Sequence, residues 1–310
     1  MQKIKLKKTD IDISRIGLGT NAVGGHNLYS ALDEAEGRAL VREALAQGIT
    51  FFDTADAYGL GRSEELLGEV LRGKRNEVVI ATKGAIQNGA DGSRRINNRP
   101  EYLRSALEAS LKRLETDYVD LYYIHYVDPE VPLAESVGAL ERLKEEGKIR
   151  AIGLSNATAE ELKAANHSGA LNAYQGPYNL LQREVEAAHL PYCVETGIAF
   201  VPYGPLAFGI LGGKYGPDFK LSPEDWRNKV ALFHKEQFQA NLHRVSRLKL
   251  IADGKNTTLS NLALAWLLHQ PGVDAVIPGG KRPEQVAENV KGALVTLTEE
   301  ELALILNAVK

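Results

Sequence analysis

The chain has 310 residues, with 37 Lys and Arg against 40 Asp and Glu, so its formal net charge at pH 7 is −3. This balance excludes a large cationic surface for nucleic acid or for an anionic membrane. The hydrophobic fraction of 44% and the charged fraction of 25% are ordinary for a globular protein, and with this length they exclude disorder as the main state.

Cys193 is the single cysteine, which excludes an intramolecular disulfide framework and a structural zinc site built on several thiolates. We expect no metal site. No stretch approaches the roughly 20 apolar residues of a transmembrane helix, and residues 1–6 alternate polar and apolar residues instead of forming a signal-peptide core. We therefore expect a cytoplasmic protein with no membrane partner.

The chain begins with an alternating segment. Ile4 and Leu6 are flanked by lysines, and Ile11 and Ile13 flank Asp12. Alternation over two short runs separated by polar residues predicts a small β-hairpin.

Eight apolar runs follow, each with the composition of a buried strand. They lie at residues 15–20, 49–53, 77–83, 118–125, 148–154, 171–175, 198–203 and 275–277. Helical periodicity or capping signals lie at residues 33–47, 63–71, 100–114, 133–146, from 158, 187–196, 236–253, 258–269, from 283 and from 298. Strand and helix therefore alternate along the chain.

Nearly continuous Val, Ile and Leu strands are typical of parallel sheets that are covered on both faces. Eight of them, each followed by helix, predict the α/β class and a (β/α)8 TIM barrel with an N-terminal β-hairpin and an extra C-terminal helix. No linker or shift in composition divides the sequence, so we expect residues 1–310 to form a single domain.

A glycine motif follows the first barrel strand. Residues 17–22, Gly-Leu-Gly-Thr-Asn-Ala, match the dinucleotide-binding pattern G-x-G-x-x-G/A. That pattern requires a helix that begins inside the motif, with its N-terminus toward a pyrophosphate. Residues 21–27 have loop composition, and helical periodicity begins only near Asp33. We therefore interpret the motif as a tight turn at the end of a barrel strand.

Four reactive side chains follow strand ends, where the active sites of TIM barrels lie. Asp53 and Tyr58 follow the second strand, Lys83 ends the third and His125 ends the fourth. Each also has an ordinary structural explanation, as a turn cap, a packed ring, a solvated strand end or a core histidine. A lysine that points into a barrel needs a counter-charge, which Asp53 supplies.

Together the four side chains can act as a tuned acid. We expect Lys83 to lower the pKa of the Tyr58 phenol from its usual value near 10, while Asp53 keeps Lys83 charged. Tyr58 can then give a proton to a developing alkoxide, with His125 orienting the carbonyl group.

Six short blocks stand at these strand ends: Gly17-Leu18-Gly19-Thr20, Phe52-Asp53-Thr54-Ala55-x-x-Tyr58-Gly59, Ala81-Thr82-Lys83, Asp120-Leu121-Tyr122-Tyr123-Ile124-His125, Gly153-Leu154-Ser155-Asn156 and Ile277-Pro278-Gly279-Gly280-Lys281-Arg282. In this order, over residues 3–308, the chain resembles the aldo-keto reductase superfamily. Tyr203-Gly204-Pro205-Leu206 is most similar to the bacterial branch that contains the general-stress and inositol-operon reductases.

The resemblance implies hydride transfer from NADPH to an aldehyde or ketone, with Tyr58 as general acid. Asp53 and Lys83 then tune the acid and His125 positions the substrate. We expect a small carbonyl compound as the substrate and no nucleic acid partner.

The resemblance also implies a long cofactor site. Its parts are a nicotinamide carboxamide site, a stacking ring at Tyr203, a pyrophosphate loop at residues 207–214 and a 2′-phosphate and adenine site at residues 279–289. The implied set is Gly19, Thr20, Asn21, Asp53, Ser155, Asn156, Gln175, Tyr203, Gly204, Pro205, Leu206, Gly209, Leu211, Gly212, Lys214, Gly279, Gly280, Lys281, Arg282, Gln285, Glu288 and Asn289.

The sequence departs from many family members at the phosphate site. Gly279-Gly280 stand where Lys-Ser is common, and Gln285 stands where Arg is common, so we expect a weaker preference for NADPH. Residues 126–128 are Tyr-Val-Asp where Trp-Pro-Asp is common. The aromatic candidates for the substrate pocket are Tyr29, Tyr126, Phe208 and Trp226, which suit an apolar carbonyl compound.

Two other functions stay open on the sequence alone. A desolvated barrel lysine is the usual amine of Schiff-base aldolases, which makes Lys83 a candidate nucleophile, although Asp53 favours its ammonium form. The second alternative is an NADPH-binding regulatory or sensor protein of the same fold that turns over slowly.

Overall fold

The computed structural model describes residues 1–29, 31–89 and 92–310. Its strands are β1 (Lys3–Lys5), β2 (Asp12–Ser14), β3 (Leu18–Gly19), β4 (Phe51–Asp53), β5 (Val79–Gly84), β6 (Ile86–Asn88), β7 (Arg94–Ile96), β8 (Val119–Ile124), β9 (Ile149–Ser155), β10 (Ala173–Pro177) and β11 (Ala199–Tyr203). Its α-helices are α1 (Asn21–Gly24), α2 (Glu34–Ala46), α3 (Arg62–Leu71), α4 (Pro100–Arg113), α5 (Leu133–Glu145), α6 (Ala159–Ala165), α7 (His189–Thr196), α8 (Lys235–Gly254), α9 (Leu259–Leu268), α10 (Pro283–Asn289) and α11 (Glu299–Ala308).

The barrel is built on a parallel sheet with the strand order β11-β10-β9-β8-β5-β4-β3 within the described residues. Residues 273–276 connect its two edges: Val273 bridges Phe200 of β11, and Val276 bridges Ile16 beside β3. The predicted strand at residues 275–277 is therefore reduced to isolated bridges, because so short a run does not pair continuously with both neighbours. The predicted (β/α)8 barrel is confirmed.

The interior of the barrel follows from the two-residue period of its strands. Alternate residues point inward and form one buried cluster: Phe51, Val79, Ala81, Leu121, Tyr123, Ala151, Ala173, Ala199, Val201, Ala275 and Ile277. The antiparallel hairpin β1–β2 was predicted correctly. It adds Leu6, Ile11 and Ile13, which are at most 1% exposed, to this cluster.

Two helices begin at the predicted capping boxes. The hydroxyl of Thr158 accepts a hydrogen bond from the Glu161 N–H at 3.2 Å, and the Glu161 carboxylate accepts one from the Thr158 N–H at 2.7 Å. Thr298 and Glu301 exchange the corresponding bonds at 3.2 and 2.8 Å. These bonds satisfy the first free N–H groups of α6 and α11.

The first two glycines of the motif allow close packing inside the barrel. An added Cβ at Gly17 would lie 2.9 Å from the side chain of Phe51, and one at Gly19 would lie 2.9 Å from the carbonyl oxygen of Ile277. The expectation of a loop at residues 21–27 was wrong for residues 21–24, which form the single turn α1. The next helix, α2, begins ten residues later, so the motif still lacks the long helix of a dinucleotide fold.

A second hairpin, β6–β7, was not predicted. Its strands pair antiparallel with Ile86 opposite Ile96 and Asn88 opposite Arg94. None of the helices within residues 1–29, 31–89 and 92–310 has both the length and the hydropathy that a membrane span needs.

Candidate active site

Several inner rows of the barrel pass, in steps of two residues, from apolar side chains to a polar one. The polar residues are Asp53, Lys83, His125, Ser155, Gln175 and Tyr203. The strands are parallel, so their carboxyl ends lie at the same end of the barrel. A cavity of about 750 Å³ opens there, and Asp53, Tyr58, His125, Gln175 and Tyr203 are on its wall.

Lys83 and Asp53 form a buried ion pair at this cavity. Lys83 Nζ donates to Asp53 Oδ1 at 2.5 Å and to the carbonyl oxygen of Thr54 at 2.8 Å. Asp53 Oδ2 accepts a further hydrogen bond from Gln175 Nε2 at 2.8 Å. Lys83 is fully buried and is not on the cavity wall, whereas Asp53 and Gln175 are.

Asp53 keeps Lys83 in its ammonium form. Burial lowers the pKa of Lys83, but the negative charge of Asp53 and the neighbouring phenol of Tyr58 raise it by more, so the net change is upward. The ammonium is therefore retained at neutral pH, as the sequence predicts.

Tyr58 lies beside this pair, with Lys83 Nζ 5.3 Å from the centroid of its ring. Burial raises the pKa of Tyr58, the positive charge of Lys83 lowers it, and the net change is upward. The expected direction of the Lys83 effect is confirmed, but the expectation that the phenol pKa falls below its usual value was wrong. Desolvation of the phenolate outweighs its attraction to the ammonium, so the phenol keeps its proton at neutral pH.

His125 brings a neutral imidazole to the cavity. Burial lowers the pKa of His125 well below its usual value, and the charges of Lys83 and Arg94 lower it further. The ring lies 6.3 Å from the ring of Tyr58, at 86° to it, and stacks on Tyr126 at 5.0 Å. A neutral imidazole carries one N–H donor, which suits a carbonyl oxygen.

Asn27 ties down the segment that carries Tyr58. Its Nδ2 donates to the carbonyl oxygen of Ala57 at 3.0 Å, and its Oδ1 accepts from the N–H of Gly59 at 2.7 Å. The two bonds bracket Tyr58, so Asn27 fixes the backbone on both sides of the phenol. Asn27 was not predicted, because a polar loop residue has no periodicity that would identify its partner.

A second polar group joins the ends of β8, β9 and β11. Asn156 has a positive φ of 51° and donates from Nδ2 to the carbonyl oxygen of His125 at 3.1 Å and to Ser155 Oγ at 3.0 Å. Its Oδ1 accepts from the hydroxyl of Tyr203 at 2.9 Å. Ser155 is 1% exposed and lies behind the cavity wall, while Asn156, Gln175 and Tyr203 are on it.

The loop after β11 divides the predicted pyrophosphate residues into two groups. Gly204, Pro205, Leu206 and Gly209 are on the cavity wall. Leu211, Gly212 and Lys214 are not: Leu211 is buried in the core and Lys214 is exposed to solvent. Phe208 and Gly209 have φ of 54° and 104°, so the loop turns sharply here. Residues 210–214 lie off the cavity wall, and the chain returns to the wall at Tyr215.

The predicted phosphate site is also divided. Gly279, Gly280, Lys281 and Gln285 are on the cavity wall, and so are Gly19, Thr20 and Asn21. Arg282, Glu288 and Asn289 are not: Arg282 is exposed, Glu288 accepts hydrogen bonds from Thr258, Asn261 and Lys291, and Asn289 Nδ2 donates to the carbonyl oxygen of Gly279 at 3.4 Å.

Gln285 caps α10 instead of holding a charge. Its Oε1 accepts from the backbone N–H groups of Lys281 at 2.8 Å and Arg282 at 3.1 Å. The ammonium of Lys281 lies 4.5 Å from the centroid of the Tyr29 ring. Among the described residues of the predicted phosphate site, Lys281 is therefore the cation on the cavity wall.

All four predicted aromatic residues are on the cavity wall: Tyr29, Tyr126, Phe208 and Trp226. The Trp226 ring meets the rings of Tyr29 at 6.3 Å and Phe208 at 5.3 Å, both edge to face. Wall residues that the sequence analysis missed include Asn27, Arg94, Gln182, Tyr215, Val230 and Ala231.

The residues present fit a phosphorylated nicotinamide dinucleotide. Ser155, Asn156 and Gln175 combine hydroxyl and amide groups, which are able to pair with a carboxamide. The wall glycines let backbone N–H groups approach phosphates, and Lys281 adds a positive charge where Gly279 and Gly280 add no side chain.

The profile of the Aldo/keto reductase family matches residues 15–310. Aldo-keto reductase YhdN of Bacillus subtilis (strain 168) is 39% identical over 289 residues, which are 92% of this chain and 87% of that protein. Aldo-keto reductase yakc of Schizosaccharomyces pombe (strain 972 / ATCC 24843), whose name carries the designation NADP(+), is 36% identical over 288 residues, which are 91% of this chain and 85% of that protein.

A solved structure shares the fold over nearly the whole length. The glycerol dehydrogenase AKR11B4 from Gluconobacter oxydans matches with a TM-score of 0.92 and 32% sequence identity. The match covers 99% of this chain and 94% of that chain.

Proposed function

Because the chain belongs to the aldo/keto reductase family and is an NADP(H)-dependent oxidoreductase, we propose that it reduces aldehydes or ketones to alcohols with Tyr58 as the general acid. The observation that carries this proposal is the arrangement of Tyr58 beside the buried Lys83–Asp53 pair, with the ammonium 5.3 Å from the phenol ring. The substrate is a small carbonyl compound.

Bound NADPH supplies the hydride that reduces the carbonyl carbon. As the new C–H bond forms, the C=O π bond breaks and negative charge develops on the oxygen. Tyr58 gives its proton to that oxygen and is reprotonated from solvent, so each turnover consumes one carbonyl, one NADPH and one proton. Lys83 stabilises the transient phenolate of Tyr58, because its ammonium lies next to the ring.

His125 holds the carbonyl group during this step. Its imidazole is neutral, so it can donate a hydrogen bond to the carbonyl oxygen without competing with Tyr58 as a stronger acid. Asp53 acts through Lys83, and its second oxygen accepts from Gln175. Asp53 thus connects the acid to the residues proposed for the carboxamide.

We also propose how the chain holds the cofactor. Asn156 and Gln175 on the wall would bind the carboxamide, and Tyr203 would stack on the nicotinamide ring. Ser155 lies behind the wall and would support this site by accepting from Asn156 Nδ2. Lys281 pairs with the 2′-phosphate. Six residues of the implied cofactor site lie off the cavity wall, and the proposal does not depend on direct contacts from them: Leu211, Gly212, Lys214, Arg282, Glu288 and Asn289.

The ion pair also argues against a Schiff-base aldolase. An amine nucleophile must lose its proton, whereas Lys83 donates hydrogen bonds to both Asp53 and Thr54. Burial lowers the pKa of Lys83, but the charge of Asp53 raises it by more, so the amine keeps its proton. Lys83 is also absent from the cavity wall, where a substrate carbonyl would meet it.

The test follows NADPH oxidation at 340 nm with 4-nitrobenzaldehyde. Wild type is expected to turn over, and Tyr58→Phe is expected to lose at least about 100-fold in kcat, the usual range for a general acid. Tyr192→Phe is the matched control, since its hydroxyl accepts from Asn166 and Tyr192 is not on the cavity wall. Activity that survives in Tyr58→Phe would overturn the assignment of the acid, and tight NADPH binding without turnover on a broad carbonyl panel would favour a regulatory protein instead.

A further inference from the structure

Arg94 is a charged residue of the cavity wall for which neither the mechanism nor the cofactor site has a use. It lies on β7, the strand of the second hairpin. Its neighbour Arg95 donates to Gln87 Oε1 at 2.8 Å and is not on the wall, as expected for successive strand residues that point to opposite faces. The hairpin therefore presents one of two adjacent arginines to the cavity.

Arg94 belongs to the His125 side of the cavity. Burial is the main cause of the lowered pKa of His125, and the positive charges of Lys83 and Arg94 lower it further. Arg94 is therefore close enough to interact electrostatically with the imidazole. The other cation on the described wall, Lys281, lies over Tyr29 and interacts electrostatically with Arg227 and Asp225. The two cations thus have different neighbours on the cavity wall.

No free carboxylate offsets Arg94 on the part of the wall that the structure describes. Asp53 is the acidic residue there, and its oxygens are engaged by Lys83 and Gln175. The aromatic wall residues Tyr126 and Trp226 carry no charge. The substrate side of the cavity therefore combines an apolar wall with one guanidinium group.

We propose that Arg94 binds a carboxylate on the substrate, so that the enzyme prefers aldehydes or ketones that carry a carboxylate away from the reacting carbonyl. This inference rests on the proposed function. Guanidinium matches carboxylate with two parallel N–H donors, and a pair of this kind is stronger than a neutral hydrogen bond. The expected substrate class is the oxo acids, in place of the purely apolar carbonyl compound that the aromatic residues suggest by themselves.

The test compares 4-carboxybenzaldehyde with its methyl ester, which has nearly the same shape without the charge. In Arg94→Gln we expect kcat/KM for the acid to fall by about tenfold, mainly through KM, as for loss of one charge-assisted contact, while the value for the ester changes by less than about twofold. Arg94→Lys should lie between, because it keeps the charge and loses the fork. Arg95→Gln is the matched control and should leave the acid-to-ester ratio unchanged.

A binding measurement separates this inference from the proposed function. Titration of 4-(hydroxymethyl)benzoate into the cofactor-loaded protein, followed by tryptophan fluorescence, should give a Kd about tenfold weaker in Arg94→Gln than in wild type or Arg95→Gln. If Arg94→Gln reduces both aldehydes with the wild-type ratio of kcat/KM between acid and ester, the proposed role of Arg94 is overturned and the proposed function stands. If neither aldehyde is reduced, the proposed function fails, and an unchanged Kd for the benzoate would then overturn the anion site as well.

Discussion

Lys83 Nζ donates to Asp53 Oδ1 at 2.5 Å, and both side chains are buried at the end of the barrel where the cavity opens. An ammonium without a counter-charge is costly in such a place, and so is a carboxylate. The same pair lies beside the phenol of Tyr58, so the stability of the barrel and the acidity of the site depend on one contact.

Asp53→Asn is expected to lower both stability and activity. Loss of one partner leaves Lys83 buried without its counter-charge, which should cost about 3 kcal/mol of unfolding free energy, and kcat should fall at least about 100-fold. Urea unfolding and NADPH oxidation measure the two effects. The double variant Asp53→Asn/Lys83→Met should recover much of the stability and stay inactive. A double variant that is no more stable than Asp53→Asn would contradict the coupling.

The pH dependence of kcat/KM should show no titration of His125 between pH 6 and 8. Burial holds the pKa of His125 well below its usual value, so the imidazole stays neutral between pH 6 and 8. We therefore expect kcat/KM for reduction to be flat over this range. A fall in kcat/KM with an apparent pKa near 6.5 that is absent in His125→Gln would show that the imidazole titrates and would contradict this prediction.

Asn27→Ala is expected to slow catalysis more than it lowers stability. The variant frees the carbonyl of Ala57 and the N–H of Gly59 on either side of Tyr58, so the phenol is held less well. We expect kcat to fall roughly tenfold and the unfolding free energy by about 1 to 2 kcal/mol.

Asn166→Ala is the matched control for Asn27→Ala. Asn166 also uses both ends of its amide, accepting from the Leu171 N–H at 3.3 Å and donating to the Tyr192 hydroxyl at 3.2 Å, but it lies away from the cavity. It should lose stability without loss of kcat. Parallel losses of kcat in both variants would show that Asn27 has no specific role in positioning Tyr58.

Lys281→Met should weaken NADPH binding more than NADH binding. A single charge-assisted contact to the 2′-phosphate corresponds to roughly a tenfold change in Kd for NADPH, with little change for NADH. Arg282→Met is the control, because Arg282 is the neighbouring cation and lies off the cavity wall. Cofactor fluorescence measures both constants. A larger effect on NADPH binding from Arg282→Met than from Lys281→Met would show that Arg282, and not Lys281, binds the 2′-phosphate.

Asp274→Asn should stabilise the protein at alkaline pH. Burial raises the pKa of Asp274 to about 6, so the folded state holds this proton up to about pH 6. The stability that the proton contributes is complete below about pH 4, near the unfolded pKa, and is lost as the pH rises through 6. Removal of the charge should add roughly 1 to 3 kcal/mol at pH 8 and almost nothing at pH 4. Thermal unfolding at the two pH values measures this, with the exposed Asp218→Asn as control. A gain in stability of the same size at both pH values would show that the effect does not come from the titration of Asp274.

The barrel and most of its polar strand ends were predictable because strand residues alternate. Once β5 is recognised, Ala81 and Lys83 must share the inner row, and the same step of two joins Phe51 to Asp53. Parallel strands then bring these ends together without any knowledge of side-chain contacts. That residues 1–310 form a single domain stays a prediction.

Features that depend on contacts between distant segments were not predictable. Asn27 acts on the Tyr58 segment through two hydrogen bonds across the chain, and Arg94 reaches the wall only because β7 pairs with β6. Lys214 was assigned to the cavity by its place in a motif, but it is exposed and lies off the cavity wall after the sharp turn at Phe208. The net pKa shift of Tyr58 required its burial, which the sequence does not report.

In the proposed mechanism, a protonated Tyr58 supplies the proton for carbonyl reduction. The most direct test is the single-turnover rate of NADPH oxidation with 4-nitrobenzaldehyde between pH 7 and 11, in wild type and in Tyr58→Phe, with the Kd for NADPH measured on the same samples. Burial raises the pKa of Tyr58 above its usual value of 10, so the wild-type rate should stay flat and fall only above that pH. Tyr58→Phe should bind NADPH within about twofold of wild type, react at least about 100-fold more slowly and show no such fall. A Tyr58→Phe rate within a few-fold of wild type, or the same alkaline limb in both proteins, would contradict the claim.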